Sequence, residues 1–109
     1  MFSFDPEMPR LTEAAGDDAD LRALLIGKFV DDLTRVKGEV ATLLEAGDGP
    51  GLKRAFHTLK GNSYLFGSES MGALCSELEE FATAGDLEKI RDRQDQFQEQ
   101  SSNFLEALS

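Results

Sequence analysis

The sequence predicts an all-α protein, specifically an antiparallel up-and-down four-helix bundle with a short extra helix at the N-terminus. Three observations predict this class. Helix-forming residues dominate the 109-residue chain, while tryptophan is absent, tyrosine occurs once and the three prolines lie at segment edges. Apolar residues recur at three- and four-residue steps over long stretches. The connections between these stretches are short, which favours antiparallel neighbours.

Start and stop signals delimit each predicted helix. Asp5-Pro6-Glu7 supplies a cap, a first-turn proline and an acidic residue, so the first helix is expected to run from there to about Ala15. The other helices are expected over residues 18–46, about 50–66, 68–85 and 86–109. A chain of this length is expected to form one domain over residues 1–109.

Composition and charge exclude several classes of function. The formal net charge of −10, from 11 basic and 21 acidic residues, disfavours binding to nucleic acid or to an anionic membrane surface. No apolar run is long enough for a membrane span, and no secretory signal opens the chain. The single cysteine, Cys75, cannot form an internal disulfide. We therefore expect a cytoplasmic protein, and a monomer.

His57 is the only histidine, and it lies in the third predicted helix. Residues three, four and seven positions away share its helix face. These are Lys53, Arg54, Lys60, Gly61 and Tyr64. Between Asp48 and Glu69 the chain has no acidic residue and three basic ones, a local charge of +3. Such a patch attracts a phosphoryl group, so His57 is a candidate nucleophile toward phosphorus.

Two neighbours of His57 have specific uses in this chemistry. Lys60, one turn along the helix, can donate hydrogen bonds to phosphoryl oxygens. Gly61 leaves space for a partner to close over the imidazole, at a cost of roughly 1 kcal/mol relative to alanine. Lys53 and Arg54 are expected to support phosphoryl binding, with a merely solvated face as the alternative. Close helix packing is the alternative explanation for Gly61.

The run from His57 to Ser63, HTLKGNS, with Gly67 closing the helix, resembles the phosphorylation motif of histidine-containing phosphotransfer (HPt) domains of two-component phosphorelays. The resemblance also covers the Asp5-Pro6-Glu7 start, the stretch 74–80 and the turn at 84–86, and so nearly the whole chain. It implies a phosphocarrier that accepts a phosphoryl group on His57 and passes it to another protein.

The resemblance also implies a role for Glu79 and a set of partners. At the matching position of HPt domains, a Gln or Glu orients the histidine; Glu77 and Glu80 remain alternatives if the helix phase slips. The implied partners are response-regulator receiver domains and a sensor or hybrid histidine kinase. The receiver brings its own Mg²⁺, so we expect no cofactor and no metal site in this chain.

Two further expectations concern activity and docking. The sequence has no Gly-rich phosphate loop, so we expect no nucleotide binding, no autokinase activity and no enzyme in the ordinary sense. The alternative function is a non-phosphorylated adaptor or inhibitor that docks a receiver or a histidine kinase. Residues expected to contact the partner are Met8, Leu11, Ile26, Val30 and Tyr64.

Overall fold

The computed structural model describes residues 1–109 and contains six helices and no strand. They are α1 (Pro9–Ala15), α2 (Ala19–Ala46), α3 (Gly49–Leu65), α4 (Glu69–Thr83), α5 (Leu87–Asp92) and α6 (Gln94–Leu108). The four long helices α2, α3, α4 and α6 form a bundle, and the whole chain measures 42 × 23 × 21 Å. The prediction of an all-α helical bundle is confirmed. None of the helices combines the length and apolar character that a membrane span requires.

Side-chain caps set the starts of four helices. Asp18, Asp48, Ser68 and Asp86 each accept hydrogen bonds from backbone N–H groups in the first turn of α2, α3, α4 and α5, respectively. These bonds satisfy donors that have no partner within the helix. The starts of α3 and α4 matter most for function, because these two helices carry the candidate site.

The start of the first helix was predicted wrongly. The carboxylate of Asp5 accepts a hydrogen bond from the N–H of Glu7 and its carbonyl accepts one from Met8, which closes a turn. Met8 has a left-handed backbone (φ 45°), and α1 begins only at Pro9. The residue before a proline is disfavoured in the helical region, so a helix from Asp5 cannot continue through Met8. Pro9, rather than Pro6, is the first-turn proline.

The last predicted helix is two helices, separated at Arg93 (φ −101°, ψ 2°). Neither proline nor glycine marks this break. Arg93 forms an ion pair with Glu77 and lies 5.7 Å from the centre of the Phe81 ring, both on α4. Nearby, Arg91 donates a hydrogen bond to the carbonyl of Leu44 on α2. The break therefore coincides with contacts between helices, which local sequence does not reveal.

Aromatic side chains fill the core at two levels of the bundle. Phe29 stacks on Phe66 with ring centres 4.6 Å apart, and Phe104 meets Phe29 edge to face. Further along, Phe56 meets Phe97 edge to face at 5.7 Å. Burying each such ring contributes roughly 1.5–3 kcal/mol. This core fixes the rotation of α3 about its axis and so decides which of its residues face outward.

The apolar stripe of α2 is exposed in the first turns of the helix. Leu21 and Leu24 are 38% and 61% exposed, whereas the stripe is buried from Phe29 onward. The pairing of Phe29 with Phe66 places the C-terminal end of α3 beside the middle of α2. Beyond that level α2 has no α3 to pack against, so leucines at helical spacing remain exposed.

Candidate functional site

His57 projects outward from the middle of α3, because its neighbours Phe56 and Leu59 are buried in the core. Its side chain is 68% exposed. An imidazole in this position is held on a rigid helix and is open to a second protein. His57 therefore lies outside the core.

Glu79 lies beside His57 on the neighbouring helix α4. Its Oε2 is 2.9 Å from Nδ1 of His57, and its side chain is only 16% exposed. The antiparallel packing of α3 on α4 brings together these two side chains, which are 22 positions apart in the sequence. Of the three glutamates considered from the sequence, the structure places Glu79 at the ring. Glu77 instead pairs with Arg93.

Lys60 completes a three-residue network through the other oxygen of Glu79. Its Nζ donates a hydrogen bond of 2.8 Å to Oε1. This bond raises the pKa of Lys60 and lowers the pKa of Glu79, for which the hydrogen bond from His57 is a further cause. Glu79 is therefore ionised at neutral pH, and an ionised carboxylate only accepts hydrogen bonds. Nδ1 of His57 must then carry the proton, which leaves Nε2 of the neutral ring with a free lone pair.

A shallow depression adjoins the ring on the N-terminal side of α3. Pro50, Lys53, Arg54, His57 and Glu79 line it. Both basic side chains are exposed, and neither takes part in an ion pair. The site therefore combines an exposed imidazole with two cations that take part in no ion pair. Pro50 was not identified from the sequence, because its only local signal is that of a first-turn proline.

Not all of the residues expected to contact a partner lie on the surface. Met8 and Leu11 are buried, at 6% and 0% exposure, so their assignment to a docking patch is wrong. They cover the end of the core, which an apolar pattern in a short helix does not distinguish from a docking face. Ile26 and Val30 are partly exposed, and Ile26 also packs against the core. Tyr64 is partly exposed, and its ring lies beneath the guanidinium of Arg10.

Neither Cys75 nor a cluster of metal-ligating side chains forms part of the site. Burial raises the pKa of the Cys75 thiol to about 12, so this side chain is a core residue and not a reactive thiolate. The structure contains no group of three or more His, Cys, Asp or Glu side chains that could hold a metal ion.

Comparison with known proteins relates both the sequence and the fold to phosphotransfer domains. Residues 24–109 match the Hpt domain family. The fold is similar to the crystal structure of histidine-containing phosphotransfer protein B (HptB) from Pseudomonas aeruginosa PAO1. The TM-score is 0.85 at 24% sequence identity, and the match covers 97% of this chain and 90% of that chain. At this identity the similarity shows a shared fold. No protein with a curated description matches the chain in sequence.

Proposed function

The chain belongs to the Hpt domain family, whose members are phosphotransfer carriers, and from this premise we propose that it accepts a phosphoryl group on Nε2 of His57 and passes it on. The donor and the acceptor are receiver domains, each of which brings an aspartate and a bound Mg²⁺. The phosphoryl group originates from a histidine kinase. The observation that supports this function best is the exposed imidazole whose Nδ1 is held by Glu79 at 2.9 Å.

The proposed transfer needs no base in this chain. The lone pair of Nε2 attacks the phosphorus of a receiver's aspartyl phosphate, and the bond between phosphorus and the aspartate oxygen breaks. The electron pair of that bond leaves with the aspartate carboxylate. Because the ring proton stays on Nδ1, the phosphorylated ring carries a positive charge, which the ionised Glu79 stabilises through its hydrogen bond. The same reaction in reverse transfers the phosphoryl group from His57 to the aspartate of a second receiver.

Transfer from a radiolabelled, phosphorylated receiver domain tests this proposal. We expect label on the wild-type chain in an acid-labile, alkali-stable linkage, as for a phosphoramidate, and no label on His57→Gln. Thr58→Ala, at an exposed neighbouring position on the same helix, is the matched control and should be labelled normally. ATP alone should label none of the three proteins.

Two results would contradict the proposal. Label that persists in His57→Gln, or that survives acid, would place the phosphoryl group on a hydroxyl or a carboxylate. Tight binding of receivers or of a histidine kinase without any transfer would instead support the adaptor or inhibitor function.

A further inference from the structure

Two depressions adjoin Glu79, and the basic residues around His57 are divided between them. Lys53 and Arg54 line the first together with His57. Lys60 lines the second, with Ser76, Glu79, Glu80, Thr83 and Ala84, and His57 is not part of it. Glu79 is common to both. The carboxylate that holds the imidazole therefore stands between the imidazole and the space around Lys60.

The orientation of the imidazole follows from its bond to Glu79 and from helix geometry. Nδ1 faces Glu79, so Nε2 lies on the opposite edge of the ring, away from the carboxylate. Side chains on a helix lean toward its N-terminus, so a residue covers the turn that precedes it. For His57 that turn contains Lys53 and Arg54. A group attached to Nε2 would lie over the first depression.

The three basic residues also differ in their availability. Lys60 is only 31% exposed and is bound to Glu79 by a charge-assisted hydrogen bond. Its ammonium has three N–H donors and can keep that bond, but the bond holds Nζ beside Glu79, the carboxylate from which Nε2 points away. Lys53 and Arg54 take part in no ion pair.

We propose that Lys53 and Arg54 are the cations that bind the phosphoryl group on Nε2, and that Lys60 is a positioning residue that acts through Glu79. This inference rests on the proposed function and assigns the phosphoryl-binding groups within it. It replaces the sequence-based expectation that Lys60 itself holds the phosphoryl oxygens.

A double-mutant cycle separates a direct role of Lys60 from one that acts through Glu79. Rates of phosphotransfer from a receiver would be measured for Lys60→Ala, Glu79→Ala and the double variant. If Lys60 acts through Glu79, Lys60→Ala slows transfer in the wild-type background and changes it less than twofold in the Glu79→Ala background. Nitrogen-15 NMR of His57 should show the same altered balance of neutral tautomers in both single variants.

A second measurement needs no partner. Phosphorus-31 NMR of the phosphorylated protein, followed over pH, reports the pKa of the phosphoryl group itself. Nearby cations favour its dianion and lower that pKa. The single variants Lys53→Ala and Arg54→Ala should each raise the pKa of the phosphoryl group and slow transfer on the order of tenfold. Lys60→Ala should leave the pKa unchanged, and so should Lys28→Ala, an exposed lysine on α2 that serves as the control.

The possible outcomes are distinguishable. A rise of the phosphoryl pKa in Lys60→Ala, or additive losses in the cycle, would show that Lys60 binds the phosphoryl group and would overturn the inference while the proposed function stands. An unchanged phosphoryl pKa in the Lys53 and Arg54 variants would also overturn it. If the wild-type chain accepts no label from any receiver, the proposed function fails and this inference fails with it.

Discussion

At the scale of single residues, Gly61 is a helix-interior glycine beside the candidate nucleophile. It lies inside α3, one turn beyond His57, and a Cβ at this position would meet no atom within 4 Å. Gly72 on α4 is different, because a Cβ there would lie 2.5 Å from the ring of Tyr64. Close helix packing therefore explains Gly72 and does not explain Gly61. The open space around Gly61 supports the hypothesis that it keeps the surface beside His57 open.

We predict that Gly61→Gln leaves the thermal midpoint unchanged or higher, because a side chain there removes a glycine penalty of about 0.5–1 kcal/mol. The same change should slow phosphotransfer, since the new side chain occupies the surface that a partner must cover. Gly38→Gln, also in open space but on α2, should affect stability in the same way and leave transfer normal. Loss of stability with normal transfer in the folded protein would contradict the prediction.

At the scale of elements, the N-terminal segment is tied to the start of α4 by three serines. The N–H of Ser3 donates to Oγ of Ser70, and the N–H of Ser70 donates to Oγ of Ser3. The fully buried Ser68 hydroxyl donates to the carbonyl of Ser3 and accepts from the N–H of Met71. One hydroxyl thus caps α4 and also anchors the segment that precedes α1.

We predict that Ser68→Ala lowers the free energy of unfolding by about 1–2 kcal/mol, because it removes a helix cap and leaves the buried N–H of Met71 without its partner. Urea unfolding measures this loss directly. Ser102→Ala, at an exposed position on α6, should cost far less. Phosphotransfer by the folded Ser68→Ala protein should remain near the wild-type rate, since α4 keeps Glu79 in register through its core residues. An unchanged urea midpoint would show that neither hydrogen bond contributes.

At the scale of the whole molecule, the charge is distributed unevenly. The net charge is −10, yet residues 49–68 of the chain contain no acidic side chain. Half of the ion pairs join exposed side chains three or four residues apart along one helix or its cap, a type that contributes little to stability. The excess acidic side chains therefore repel one another across the folded surface, while the surroundings of His57 remain locally positive.

We predict that added salt stabilises this protein. Raising the NaCl concentration from about 10 mM to about 150 mM shortens the screening length from roughly 30 to 8 Å and weakens the repulsion. The thermal midpoint should rise over this range. A variant that removes two exposed charges on α2, Asp31→Asn with Glu45→Gln, should start from a higher midpoint at low salt and respond less. A midpoint that falls with added salt would show that ion pairs outweigh the repulsion.

Local sequence by itself determined most of the helix boundaries and the position of the candidate nucleophile. Caps such as Asp18 and Ser68 act on backbone groups within three residues, so their effect can be predicted without knowledge of the fold. The outward placement of His57 follows in the same way from the buried stripe of its own helix. The family resemblance of the motif added Glu79, which no spacing within α3 could indicate.

Only the tertiary structure decided how these pieces combine. It buried Met8 and Leu11, ended the fifth helix at Arg93, bound Lys60 to Glu79, and left Lys53 and Arg54 beside the imidazole. Each of these outcomes depends on a partner that lies on another helix or in a distant segment. Helical periodicity determines which residues share a face, but the packing of neighbouring helices determines which charges on that face remain free.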